Sequence, residues 1–241
     1  MLEDIKPHLA ELRNRLIKII IVLVAAFFVC FAFWSPILSW VVKPLHAALA
    51  EHGEIIAYKM GEQFFTAVFV SFFAALLISL PIIFYQVWAF VAPGLYANEK
   101  RFVIPFVMAT TIMFILGAVF AYYIVFPYGF SYLVNFGETL VTSMISIGEY
   151  LSFFLKLMFG FGVSFELPVI CFFLAKIGLI DDQTLKDFFR YAIILIFIFA
   201  AIITPPDVLT QFLMAIPMIL LYAVSILIVR AVNPAKKEAA D

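Results

Sequence analysis

The sequence predicts an all-α integral membrane protein with six transmembrane helices, both termini cytoplasmic, and three observations carry that expectation. The first is composition: 66% of the 241 residues are hydrophobic and 13% are charged, where a soluble domain carries roughly 45–50% and about 25%. The second is distribution, because the apolar residues, thirty Phe among them, gather into stretches of about 20 residues, the length a helix needs to cross a bilayer. The third is the sorting of positive charge: twelve of the fifteen Lys and Arg fall on one side of those stretches, the excess that marks cytoplasmic loops. Barrel strands alternate apolar with polar residues and would average well below the mean hydropathy of +1.14. A net charge of −1 and a pI near 6.3 argue against nucleic acid as the main partner.

In chain order the spans are residues 16–34, 64–91, 102–126, 150–177, 191–204 and 209–229, within one transmembrane domain over 1–241. The first run is too long for a signal-peptide core and has acids ahead of it, so it reads as a retained helix. Lys6, Arg13, Arg15 and Lys18 precede or open it. Lys100 and Arg101 join spans 2 and 3, Lys176, Lys186 and Arg190 flank the 4–5 connection, and Arg230, Lys236 and Lys237 follow span 6. Only Lys43, Lys59 and Lys156 remain for the outer side. Trp34, Tyr122, Tyr123 and Tyr150 are expected near the outer interface, with Tyr85, Trp88 and Tyr191 near the inner one.

Helices 5 and 6 are short. Fourteen residues in span 5 reach only about 21 Å, so the bilayer beside this hairpin is expected to thin. Thr204-Pro205-Pro206-Asp207 sets its outer turn, since two prolines cannot continue a helix. Pro81, Pro168 and Pro217 are expected to bend helices 2, 4 and 6. Ser71, Ala75 and Ser79, and Gly160 with Ser164, put small residues four apart, which lets helices approach closely in lipid. Cys30 and Cys171 lie in apolar runs and read as buried free thiols.

Four acids and one amide stand out. Glu166 sits deep in span 4 with no Lys or Arg within a turn. An ionisable group at that depth normally faces a cavity, a partner or the bundle interior, and structural hydrogen bonding is the other reading. Glu11, in HLAELRNRL, is placed to pair with Arg15 at i,i+4, or to accept a guanidinium from elsewhere. Glu99, in YANEKR, either neutralises Lys100 and Arg101 or accepts guanidinium groups through charge-assisted bonds. Asp207 reads first as an N-cap for helix 6, and Gln211, one turn further on, calls for an interhelical partner. No phosphate loop, nucleophile elbow, HExxH or cofactor ligand pair is present. The chain therefore does not read as an enzyme and no cofactor or metal is expected. An ion-coupled secondary transporter using Glu166 as proton or cation site is the alternative on residues alone.

Five segments together resemble one family. HLAELRNRL (8–16), FYQVWAFVAPGLYANEKR (84–101), FAYYIVFP (120–127), YLSFFLKLMFGFGVSFELPV (150–169) and ITPPDVLTQFLMAIPM (203–218) are similar to TatC proteins, the core subunits of the twin-arginine protein translocase. The resemblance implies binding of twin-arginine signal peptides on folded cargo, assembly with single-span TatA and TatB subunits and further copies of the chain, and export across a bacterial inner membrane driven by the protonmotive force. It implies signal-peptide recognition by Glu11 and Glu99, with Arg13, Phe90, Lys100 and Arg101 nearby in the motif. Glu166, Asp207 and Gln211 match the family's intramembrane and partner-docking positions, and Pro44 matches a proline of the first outer loop.

Overall fold

The structure, a computed structural model, describes residues 2–49, 54–91, 103–135 and 144–232. The helices are α1 (Leu2–Ala32), α2 (Trp34–Val41), α3 (Lys43–Leu49), α4 (Glu62–Val91), α5 (Val103–Phe120), α6 (Phe126–Asn135), α7 (Ile147–Ser164), α8 (Leu167–Lys176), α9 (Asp182–Ile203) and α10 (Val208–Val232). A π-helical turn, Ala121–Val125, joins α5 to α6. Two three-residue strands, β1 (Glu54–Ile56) and β2 (Met144–Ser146), pair in parallel, Ile55 opposite Ile145.

Proline explains where the helices stop. Its ring clashes with the carbonyl four residues back, and its missing N–H leaves that carbonyl unpaired. Pro36 ends α1 at Ala32, Pro168 ends α7 at Ser164, and Pro205 and Pro206 close α9 at Ile203. Pro127 cannot reach Tyr123, and there the chain widens into the π turn instead. Pro81 and Pro217 lie inside α4 and α10, which run through them. The expected bend in helix 4 is thus a full break at Phe165–Glu166, between α7 and α8.

Five helical stretches are long and apolar enough to cross a membrane: His8–Ala32, Glu62–Val91, Val103–Val134, Ile147–Lys176 and Val208–Val232. The remaining expected span is α9. It is 22 residues long, but its first nine carry Asp182, Lys186, Asp187 and Arg190, so only residues 191–203 are uncharged. Helices also run past the expected bounds at most ends, because hydropathy reports the part that meets lipid while the hydrogen-bond ladder continues into water. Pro44, expected in a loop, sits in the first turn of α3, where its missing donor costs nothing.

The chain divides into two compact units. The first comprises Met1–Ile112 and Thr142–Leu151. Here α4 packs on α1 and α2 through a buried stripe of Ala67, Ser71, Ala75 and Ser79, the small residues that close approach requires. Phe31 meets Phe64 edge-on at 6.4 Å. Glu62 binds the outer segments together: its carboxylate accepts from the Lys59 N–H at 3.0 Å, the Gly148 N–H at 2.9 Å and the Ser146 hydroxyl. A Cβ on Gly148 would lie 2.7 Å from that carboxylate, so a larger residue there would displace the Glu62 side chain from its present bonds. Tyr150 donates to the Val41 carbonyl at 2.7 Å, satisfying an orphaned end of α2.

The second unit comprises Met113–Val141 and Ser152–Asp241. Its core is aromatic: Phe126 stacks on Phe130 at 5.2 Å and meets Phe154 edge-on at 5.3 Å, while Phe120 lies 5.5 Å from Phe161 and 5.6 Å from Phe165. Helices α8 and α9 pack on α10, and Tyr222 donates to the Leu185 carbonyl at 3.0 Å. Gly160 faces Ile203 and Met214. Cys30 and Cys171 are buried free thiols. Of the aromatics expected at the interfaces, Trp34, Tyr85, Tyr123 and Tyr191 are exposed, whereas Trp88, Tyr122 and Tyr150 are buried. Trp88 is stacked on Phe106 at 4.8 Å and Tyr150 donates its hydroxyl to the Val41 carbonyl, so both are held by protein contacts.

Two outcomes follow from this packing. A Cβ at position 117 would stand 2.5 Å from the Phe161 carbonyl oxygen, so Gly117→Ala is expected to lower unfolding stability in detergent by about 1–3 kcal/mol; an unchanged denaturation midpoint would contradict the close approach. Glu62→Ala removes the shared acceptor and is expected to speed amide hydrogen exchange at Ile55, Gly148 and Glu149 while leaving α10 protected, with equal exchange as the opposing result.

Candidate functional site

The polar opening of α1 and the end of α4 form the first candidate site, inside the first unit. HLAELRNRL places Glu11 and Arg15 one turn apart on one helix face, and α4 brings Gln86 alongside. Arg15 donates to Glu11 Oε1 from both Nε, at 3.0 Å, and Nη2, at 2.6 Å. Its Nη1 donates to Gln86 Oε1 at 3.2 Å. The side chains of Arg15 and Glu11 are 21% and 34% exposed, and Gln86 is 9% exposed. The expected i,i+4 pair is therefore formed, and it is anchored to a second helix. Arg13 is exposed, and Phe90, one turn past Gln86, is half-buried. Glu99, Lys100 and Arg101 lie outside the described residues.

The second candidate site is the interruption between α7 and α8, inside the second unit. Because Pro168 offers no N–H to Ser164, the chain tightens: Phe165 N–H reaches the Phe161 carbonyl at 2.9 Å and Glu166 N–H reaches Val163 at 3.1 Å. The ladder resumes when Ile170 N–H bonds the Glu166 carbonyl at 2.9 Å. Glu166 is 6% exposed, and among the described residues its Oε1 has no hydrogen-bond partner. The side chain does not cap α8. A buried carboxyl with an unused oxygen is a polar group that its own fold leaves unsatisfied among the described residues.

The hairpin before α10 is settled by local chemistry. Asp207 accepts from the Thr210 N–H at 2.8 Å and from the Thr210 hydroxyl, which is the N-cap that its position ahead of Leu209 predicts. Gln211 donates to the Phe197 carbonyl of α9 at 3.1 Å, the interhelical partner its placement called for. Sequence reasoning missed Gln86 and Glu62. Gln86 had a signal, a lone amide in an apolar span, the same one that singled out Gln211.

Comparison with known proteins adds the family. The family model described as Sec-independent protein translocase protein (TatC) matches residues 7–217. The chain is 53% identical over 242 residues to the Sec-independent protein translocase protein TatC of Campylobacter jejuni, covering 99% of this chain and 98% of that protein. It is 50% identical to the TatC of Helicobacter pylori strain 26695, over 99% and 92% of the two chains. With the TatC of Escherichia coli K12 it shares 38% identity over 93% and 88%. A crystal structure of the twin-arginine translocase receptor TatC superposes with a TM-score of 0.85 at 38% identity, over 94% of this chain and 99% of that one. With its spans, its residue pattern and its fold in agreement, the chain belongs to the TatC family of multi-pass inner-membrane translocase proteins.

Proposed function

We propose that this chain is the receptor and core subunit of a twin-arginine translocase, and that it reads paired arginines in the signal peptides of folded cargo through the carboxylates of Glu11 and Glu99. The observation that carries the reading is the Glu11 carboxylate. It stands one third exposed at the polar end of α1, with Oε1 taken by Arg15 and Oε2 without a hydrogen-bond partner among the described residues. A guanidinium matches a carboxylate through two planar N–H bonds, while a lysine ammonium is a point charge that fits any oxygen alike. The chain is a transport component and not an enzyme, and its energy source is the protonmotive force.

Assembly follows from the second site. Glu166, with its unused oxygen in the bilayer, is the point where a polar residue of a TatA- or TatB-type single-span helix is received, and Asp207 with Gln211 mark the neighbouring hairpin against which such helices and further copies of this chain gather. The uncharged part of α9 spans roughly 20 Å at 1.5 Å per residue, and the thinner bilayer this favours lowers the barrier to opening the membrane near the hairpin.

Crosslinking a twin-arginine peptide to membranes bearing Glu11→Gln, Glu99→Gln and the double variant tests the recognition step. Loss of a charge-assisted pair is worth about 1.5–3 kcal/mol, roughly a 10- to 100-fold fall in binding per carboxylate; wild-type crosslinking by the double variant would remove the proposed site. For Glu166, the alanine variant is expected to lose export and partner association and the glutamine variant to retain part of both. Full export with Glu166→Ala would leave that residue a structural role alone.

A further inference from the structure

We propose that Gln86 and Arg15 are positioning residues for signal recognition: together they hold the Glu11 carboxylate by Oε1 and leave Oε2 to the cargo, and part of the discrimination of arginine from lysine in the cargo therefore resides in α4. This rests on the reading that Glu11 receives a guanidinium. In an unconstrained pair, an arginine lays two N–H groups across both oxygens of a carboxylate. Here Nε and Nη2 of Arg15 converge on the single oxygen Oε1, while Nη1 is held by Gln86 Oε1.

The three side chains form a gradient from anchor to acceptor. Gln86 is buried on α4, Arg15 is largely covered, and Glu11 is the most open. A planar, five-donor group is needed in the middle, since only it can hold two acceptors at fixed angles. The consequence for a ligand lies at the other oxygen. A carboxylate held through Oε1 alone leaves Oε2 open, and a second guanidinium can converge two N–H groups on that oxygen as Arg15 does on Oε1, whereas an ammonium directs only one N–H at it. The Gln86 oxygen also gives Arg15 a second acceptor, so Arg15 does not need the whole carboxylate and leaves half of it available. If α4 no longer held Arg15, that guanidinium would rotate onto both oxygens and close the site to cargo.

The test uses the full-length chain in membranes and two peptides identical except for an Arg-Arg or a Lys-Lys pair. The quantity read is the ratio of their affinities for wild type, Gln86→Leu, Gln86→Glu, Arg15→Lys and Glu11→Gln. Gln86→Leu and Arg15→Lys are expected to lower that ratio by about fivefold or more, through weaker Arg-Arg binding with Lys-Lys binding held, given what a bidentate charged pair contributes. Gln86→Glu keeps an acceptor and is expected to keep the ratio. Lys-Lys binding also reports that each variant is folded, and should one helix variant fail that check the other decides. An unchanged ratio in Gln86→Leu and Arg15→Lys, with Arg-Arg binding lost in Glu11→Gln, would overturn the positioning role alone. Unchanged Arg-Arg binding in Glu11→Gln would overturn the arginine site itself.

Discussion

A backbone carbonyl that leaves the helix ladder inside a bilayer has no water to bond, so every interruption has to be paid for by packing. Proline creates most of the interruptions in this chain. Two of them are backed by buried side chains, Ala121, Tyr122 and Val125 at the π turn and Phe161, Ser164 and Pro168 at the break beside Glu166, whereas Phe33 and Trp34 at the α1–α2 break are exposed. Burial at the second of these breaks is also what makes Glu166 exceptional, since it adds a carboxyl to a place already short of acceptors' partners.

Most hydrogen-bonded polar side chains within the spans are of two kinds, while the buried hydroxyls of Thr66 and Ser79 have no partner among the described residues. Ser71, Thr110, Ser164, Thr204 and Ser225 donate back to the carbonyl four residues earlier in their own helix, which satisfies them locally and ties nothing together. The ties between helices are fewer and longer: Arg15 to Gln86, Gln211 to the Phe197 carbonyl, Tyr222 to Leu185 and Tyr150 to Val41. Small hydroxyls thus permit close packing, while large polar groups set which helices are neighbours. Glu11 and Glu166 differ from both kinds, each carrying an oxygen that no described residue uses.

Hydropathy located the spans because lipid contact is what it measures, and for the same reason it misplaced their ends. It could not register α2 and α3, short helices with no bilayer to cross, nor the pairing of β1 with β2, since three residues show no alternation. The cap at Asp207 and the partner of Gln211 were legible, because a carboxylate ahead of a helix and an amide inside one have few ways to be satisfied. The pair of Glu11 and Arg15 was legible as spacing. Its attachment to Gln86 was not, because that contact joins residues 71 positions apart and depends on how α1 and α4 dock. The break at Phe165–Glu166 was read as a bend, since proline alone does not tell whether a neighbouring helix will allow the ladder to open.

The clamp that Glu62 makes with Ser146 and Gly148 bears on how the protein is made. The first unit is discontinuous: Met1–Ile112 is completed only by Thr142–Leu151. During synthesis at about 5–20 residues per second, α1 and α4 enter the membrane several seconds before the segment that closes their outer edge exists. Through that interval the Glu62 carboxylate lacks Ser146 and Gly148, and β1 lacks its partner strand. The first unit is therefore completed only after the chain has passed through residues 113–141, which belong to the second unit.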